Sequence, residues 1–107
     1  MPLQRYLNVS QLRELMIGME YDLGLGHLSQ NEKDVFYAVI SVIDANRGRD
    51  GVAKSEEIKA HILVADMTQP TFHRSLKTLI DLGLIDRAPN TKAGSYISPN
   101  KEMNALA

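Results

Sequence analysis

The sequence predicts a mainly α-helical domain that closes with a small β-hairpin, and three observations carry this prediction. Apolar residues recur at helical spacing in separate stretches of the chain. Capping residues and glycines stand where these stretches begin and end. After the last stretch, two short strand-like runs flank a turn that contains Pro, Asn and Gly, which is typical of a hairpin. The predicted order is two helices, a very short strand, two more helices and the two hairpin strands.

The first helix is predicted from about Val9 to Leu23, with Asn8 as its N-cap and Gln11 reaching back in a capping box. Gly24 then ends the helix. The apolar residues form a stripe at close to heptad spacing: Val9, Leu12, Leu15, Met16, Met19 and Leu23. The stripe allows two interpretations, because it can pack on the protein's own core or pair with the same helix of a second chain.

The second helix begins at a stronger signal. Ser29 and Glu32 form a Ser-x-x-Glu capping box, and Leu28 before it can act as a hydrophobic staple. A wide apolar face follows and predicts the middle of the core: Val35, Phe36, Val39, Ile40, Val42 and Ile43. Residues 46–51 form a loop rich in residues that tolerate positive φ. Val52–Ala53 is predicted as a very short strand.

A short third helix is predicted next, with Ser55 as its cap and two glutamates placed favourably for the helix dipole. Ile58 and Ile62 are expected to face inward, with Leu63 beside them. Val64–Met67 then forms a tight connection to the following helix. Helix, tight turn and helix in succession are the helix-turn-helix geometry.

The fourth helix is predicted over about residues 68–82. Thr68 can cap its start, Pro70 is tolerated in the first turn, and Gly83 stands where a helix stops. Its apolar side consists of Phe72, Leu76, Leu79 and Ile80, and its opposite side of Thr71, Arg74, Lys77, Thr78 and Asp81. A first turn rich in hydroxyls and amides, followed by Arg and Lys, suits the base edges and phosphates of a DNA groove.

The predicted hairpin pairs Leu84–Arg87 with Ser95–Ser98 around the Pro/Asn/Gly turn. The chain therefore divides into an N-terminal helix in residues 1–27, a core domain in residues 28–98 and a short polar tail in residues 99–107. The N-terminal helix is expected to mediate dimerisation.

The segment MTQPTFHRSLKTLIDLGLI, residues 67–85, carries a resemblance to a known family. The segment resembles the recognition helix of bacterial winged helix-turn-helix regulators, MarR-like ones in particular. The resemblance rests on the succession of a small polar residue, Gln-Pro-Thr, an apolar residue, His-Arg, Leu-x-x-Leu and Gly-Leu-Ile. The resemblance extends over roughly residues 28–98. It implies a winged helix-turn-helix fold of order α-α-β-α-α-β-β, in which the fourth helix enters the major groove and the hairpin is the wing. It also implies a homodimeric, cytoplasmic transcription regulator that binds specific double-stranded DNA sequences.

Within that resemblance, particular side chains are expected to contact DNA. Arg74 is the best candidate to read a base, since a guanidinium can pair with guanine through two hydrogen bonds. Lys77 is a flexible point charge and is expected to meet phosphate. Contacts with either the DNA bases or the DNA backbone are expected from Gln69, Thr71 and Thr78. His73 lies between the two faces, where it either touches the DNA backbone or is half-buried against a carbonyl. Arg87 and Lys92 are the hairpin's basic residues, fewer than such wings often carry.

Composition limits the other classes of function. A chain of 107 residues is one domain, and the absence of cysteine excludes disulfides and thiolate metal sites. No apolar run approaches the roughly 20 residues of a membrane span, and the first ten residues lack the apolar region of a secretory signal. The formal net charge of −1 means that any DNA-binding charge must be local.

Neither a cofactor nor an enzymatic activity is expected. His27, His61 and His73 have no metal-motif spacing, and residues 44–55 lack the Gly and Glu of a calcium loop at the required places. The sequence contains no Gly-rich phosphate loop, nucleophile elbow or HExxH motif. Two alternatives stay open: a winged-helix protein–protein interaction module, which near-neutral charge favours, and a plasmid- or replication-associated DNA-binding protein.

Overall fold

The structure is a computed structural model that describes residues 2–89 and 94–99. The described residues form a mainly helical fold with a small three-stranded antiparallel sheet. The elements are α1 (Pro2–Asp22), α2 (Gln30–Ala45), β1 (Ala53–Lys54), α3 (Ser55–Lys59), α4 (Gln69–Asp81), β2 (Asp86–Arg87) and β3 (Ser95–Ile97). This is the element order that the sequence predicts.

The sheet has the strand order β1-β3-β2, with β3 in the middle. Tyr96 of β3 lies opposite both Ala53 of β1 and Arg87 of β2. The predicted hairpin is therefore confirmed, and it gains a third strand whose pairing the sequence does not predict. That strand also falls one residue later than the predicted Val52–Ala53, at Ala53–Lys54.

The core lies between α2 and α4 and is closed by α3 and the sheet. The predicted start of α2 is confirmed, since Ser29 Oγ accepts from the Glu32 amide at 3.1 Å and Glu32 Oε1 accepts from the Ser29 amide at 2.9 Å. Leu28, the predicted staple residue, is buried. The largest fully buried side chains are Phe72, Ile58, Leu76, Leu79, Ile85, Val35, Val39 and Val64.

The third helix is shorter than predicted. It ends at Lys59, and its N-cap is Lys54 rather than Ser55, with the Glu57 side chain accepting from the Lys54 amide at 3.1 Å. Ile58 is buried as expected, but Ile62 is 88% exposed, so its inward placement was wrong. Leu63, at 42% exposure, was also wrongly placed inward.

The hydrogen bonds after Lys59 are those of a turn, since the His61 amide donates to the Ile58 carbonyl, three residues back, at 3.0 Å. The Leu63 amide donates to Nδ1 of His61 at 3.1 Å and so leaves the helical hydrogen-bond pattern. The connection to α4 therefore runs from Ala60 to Thr68, longer than the tight Val64–Met67 link that the sequence predicts.

The first helix is longer than predicted and lies outside the core. It begins at Pro2, a residue suited to a first helical turn, so Asn8 is not a cap and instead accepts from Gln4 Nε2 inside the helix at 3.0 Å. Glu20 is its one buried residue, and the predicted stripe is exposed. Packing of the stripe on the protein's own core was therefore wrong. Although α1 has 21 residues, no described helix is long and apolar enough to cross a membrane.

Candidate nucleic-acid interface

The ends of α4 are set by the signals that the sequence predicts. Thr68 is the N-cap, with its Oγ1 accepting from the Thr71 amide at 3.4 Å, and Pro70 occupies the first turn. At the other end, Gly83 has a φ of +76°, a conformation that L side chains rarely adopt. The helix therefore begins and ends at defined residues, which fixes the side chains of its outer face.

The inner face of α4 anchors it against α2. Phe72, Leu76 and Leu79 are buried, as predicted. Ser75 is buried beside them, although the sequence analysis did not assign it to the core. Its position three residues after Phe72 was the available signal, because residues at that spacing share a helix face.

The outer face of α4 groups hydrogen-bonding and basic side chains. Gln69, His73, Arg74 and Lys77 are all exposed. Lys77 Nζ pairs with Asp81 Oδ2 at 3.3 Å across one helical turn. Among the described residues, Arg74 has no hydrogen bond or ion pair through its side chain, so its guanidinium is available to a ligand.

The two threonines of the predicted site are less available than the sequence implies, since both are only partly exposed. The Thr68 hydroxyl donates to Thr71 Oγ1 at 2.9 Å. The Thr78 hydroxyl donates to the Arg74 carbonyl at 3.1 Å. Thr71 and Thr78 therefore stabilise the helix and retain limited capacity for contacts outside it.

His73 belongs to the outer face. Its ring contacts that of Phe72, with centroids 5.4 Å apart and planes inclined by 57°. The side chain is exposed, so the alternative of a half-buried histidine was wrong. Its position next to Arg74 places one more hydrogen-bonding group on the surface that a ligand of α4 would meet.

Negative charge lies at the beginning of α4. A shallow hollow of about 360 Å³ there is lined by Asp34 and Asp66, together with Thr68 and Thr71. These carboxylates oppose the approach of phosphate to the first turn. The positive part of the face therefore starts with Arg74, in the middle of the helix.

The hairpin contributes the remaining predicted residues. Arg87 is exposed on β2, whereas Lys92 lies outside the described residues. The beginning of β3 is fastened to α3, since the amide and hydroxyl of Ser55 both donate to the Gly94 carbonyl, at 2.8 and 3.1 Å. The position of the sheet thus depends on the start of α3.

A buried cluster at the base of α1 was missed by the sequence analysis. Glu20 accepts from Tyr37 Oη at 2.5 Å and from Lys33 Nζ at 3.1 Å, which fastens α1 to α2. The hydrogen bond from Tyr37 and the charge of Lys33 hold the pKa of Glu20 below its ordinary value, against the opposing effect of burial. Burial, and then the bond to Glu20, raises the pKa of Tyr37 to about 12. No local pattern connects residues so far apart in sequence.

Within residues 2–89 and 94–99, no three His, Asp or Glu side chains meet in a group that could hold a metal ion. No family model, no curated protein and no solved structure matches this chain.

Proposed function

We propose that this protein binds specific double-stranded DNA sequences as a bacterial-type transcription regulator of winged helix-turn-helix architecture. In this proposal α4 is the recognition helix in the major groove, and β2 and β3 form the wing beside it. The single observation that carries the proposal is the outer face of α4, where Gln69, His73, Arg74 and Lys77 are exposed together on an anchored helix.

The dimensions and chemistry of α4 support this assignment. An α-helix with its side chains is about 10–12 Å across, which fits the major groove of B-DNA, about 12 Å wide. The 13 residues of α4 extend about 20 Å along its axis. Arg74 has the geometry to donate two hydrogen bonds to one guanine edge. Lys77 would exchange its bond to Asp81 for a phosphate, since an exposed ion pair contributes at most about 1 kcal/mol.

The small number of basic residues predicts a modest electrostatic contribution to binding. Affinity should fall with salt because bound phosphates release counterions, with a log–log slope on the order of 3 to 6 for a dimer. The decisive experiment selects bound duplexes from a random pool, sequences them and titrates the selected site at several salt concentrations. An enriched motif supports the proposal, whereas no binding at about 50 mM salt contradicts it.

The proposal includes a homodimer formed through α1. The stripe of Val9, Leu12, Leu15, Met16, Met19 and Leu23 is between 44% and 71% exposed on the protomer. Symmetric pairing of two such stripes would remove this apolar surface from water. A twofold dimer would read two half-sites about 34–36 Å apart, one turn of DNA.

A protein–protein interaction module is the second candidate, because the chain combines the apolar α1 surface with a net charge of −1. Retention on heparin or random duplex DNA at low salt distinguishes it, since an interaction module with this charge should pass through both columns. A plasmid- or replication-associated DNA-binding protein would share every contact proposed for α4. The selected site, compared with promoters and replication origins, separates that role from transcription control.

A further inference from the structure

The first helix carries a second apolar surface beyond the predicted stripe. At 3.6 residues per turn, five more apolar residues fall on the side of α1 opposite the stripe. This second face consists of Leu3, Tyr6, Leu7, Ile17 and Tyr21, which are between 46% and 79% exposed. A helix that is apolar on two sides is typically covered on both. A pair of helices joined along the stripe would cover only one of them.

The residues that the structure describes also form an apolar groove. It has a volume of about 1110 Å³ and runs past the C-terminal half of α2, the loop that follows α2, and β3. Its apolar lining includes Leu23, Leu25, Phe36, Ile40, Ile43 and Ile97. Leu23 is both the last residue of the stripe and part of this groove, so the two surfaces are continuous.

We infer that the groove of each protomer receives the N-terminal part of α1 from a second copy of this chain, an inference that rests on the dimer of the proposed function. Each chain then supplies one helix end and one groove. A twofold axis makes these two contacts equivalent, as an isologous interface requires. Leu3, Tyr6 and Leu7 are the residues of the second face that lie in this N-terminal part.

The direction of pairing follows from the position of the groove. The stripe runs from Val9 to Leu23, so an antiparallel pair centred on Met16 sets Val9 level with Leu23 of the second copy. Leu7 then lies level with Leu25 of that copy, which lines its groove. A parallel pair would instead bring the two N-terminal ends together, away from both grooves. Only the antiparallel arrangement covers the groove and the stripe at once.

The extent of the surfaces is sufficient for a stable dimer. Standard interfaces use about 20–30 residues on each side. The stripe, the three N-terminal residues of the second face and the lining of the groove come to 26 residues, with Leu23 counted once. The stripe alone, with its six residues, does not reach that size.

The absence of cysteine from the sequence allows a direct test by cross-linking. Leu7→Cys and Ile40→Cys are made in separately tagged chains, mixed without DNA and treated with a short bismaleimide. Both positions are exposed, at 46% and 38%, so neither change should disturb the fold. The expected product joins one chain of each kind. Leu7→Cys mixed with Lys77→Cys is the matched control, because Lys77 lies on the outer face of α4.

Each outcome bears on the inference. A Leu7→Cys product with itself, or equal yields with the Ile40 and Lys77 partners, would overturn it in favour of parallel pairing or random encounter. A monomer in sedimentation at tens of micromolar would overturn both the groove contact and the dimer. If a chain ending at Pro99 cross-links while the full chain does not, the chain's own C-terminal segment occupies the groove and the inference is wrong. Since no DNA is present, a failure of DNA binding is measured separately and leaves these results unaffected.

Discussion

Single charged side chains in this protein differ in how much of their hydrogen-bonding capacity the fold already uses. Arg74 is exposed and has no partner among the described residues, so its charge can serve a ligand. Glu20 is 8% exposed and accepts hydrogen bonds from Tyr37 and Lys33, so its charge serves the structure. Substitution of Arg74 should therefore change the preference for a DNA sequence, and substitution of Glu20 should change the stability of the fold.

Arg74→Ala should weaken binding to the selected DNA site by roughly 1–3 kcal/mol and relax the preference at one base position. The reason is the loss of a guanidinium that pairs with a base edge. Titration of the selected and a scrambled duplex measures both effects. Arg47→Ala is the control, since Arg47 is exposed on the loop after α2 and pairs with Asp44. If the affinities for the selected and the scrambled duplex fall by the same factor, so that the preference for the selected site is unchanged, Arg74 does not read a base.

Glu20→Gln should lower stability at neutral pH and make stability less sensitive to acid. The pKa of Glu20 is depressed in the folded state, so its stabilising effect is present above the ordinary value of 4.5 and is lost as pH falls through the lower folded pKa. The difference in unfolding free energy between wild type and variant should thus shrink below pH 4.5. Denaturant unfolding from neutral to acidic pH measures it. Glu14→Gln is the control, because it removes the same charge at an exposed site of the same helix. A difference for Glu20→Gln that stays constant with pH would contradict the assignment.

At the scale of elements, the β-hairpin depends on a contact with the start of α3. Gly94 has a φ of +88°, and a Cβ on it would lie 2.9 Å from Ser55 Oγ. The same residue accepts both hydrogen bonds of Ser55 through its carbonyl. A side chain at this position would therefore strain the backbone and push β3 away from α3.

Gly94→Ala should destabilise the protein by about 1–3 kcal/mol, because it combines positive φ with a close contact. The midpoint of thermal unfolding should fall by about 4–8 °C for each kcal/mol of unfolding free energy that is lost. Gly48→Ala is the matched control, since nothing lies within 4 Å of a Cβ at that position and no positive φ is required. An equal response of the two variants would show that the contact with Ser55 contributes nothing.

Elements with local signals could be predicted from the sequence, and elements decided by distant contacts could not. Ser29, Thr68 and Gly83 mark helix ends through bonds to nearby backbone, and all three positions were correct. The short α3 was predicted too long, because the apolar Ile62 and Leu63 continue its spacing although the backbone turns at His61. Pairing of β1 with β3 joins residues more than 40 positions apart, for which the sequence has no local pattern. In the candidate site, the outer face of α4 followed from periodicity, whereas the occupied hydroxyls of Thr71 and Thr78 required coordinates.

The whole molecule consists of a packed body and a projecting helix, which gives extents of 52 × 33 × 28 Å. Eleven large apolar side chains from Leu3 to Leu23 remain between 44% and 79% exposed along the projecting part. Monomeric proteins in water expose single, scattered apolar residues, and they rarely expose a continuous apolar surface of this size. Association should therefore be a property of the isolated protein, independent of DNA.

The double substitution Leu12→Asp and Leu15→Asp should give a folded monomer with much weaker DNA binding. Both side chains are exposed in the protomer, at 62% and 60%, so the charges disrupt association rather than the core. Sedimentation and circular dichroism measure the two properties. Ile62→Asp combined with Leu63→Asp is the control, because it places the same two charges at apolar sites that are 88% and 42% exposed and outside α1. Retention of the dimer by the double variant would exclude α1 as the interface.

The cluster of Glu20, Lys33 and Tyr37 is the point at which the projecting α1 is attached to α2, and a rotation of α1 about this point would move the rest of the helix as a rigid rod. From Glu20 to Pro2, α1 extends about 27 Å, so a tilt of about 10° at Glu20 displaces its N-terminal end by about 5 Å. In a dimer joined through α1, this tilt would also change the separation of the two α4 helices. The spacing between DNA half-sites that the protein tolerates would then be set by three side chains that never touch DNA. Glu20→Gln should weaken this attachment and so broaden the range of half-site spacings that the protein binds. A selection from duplexes with spacers of different length measures that range, and the sequence of each half-site should stay unchanged.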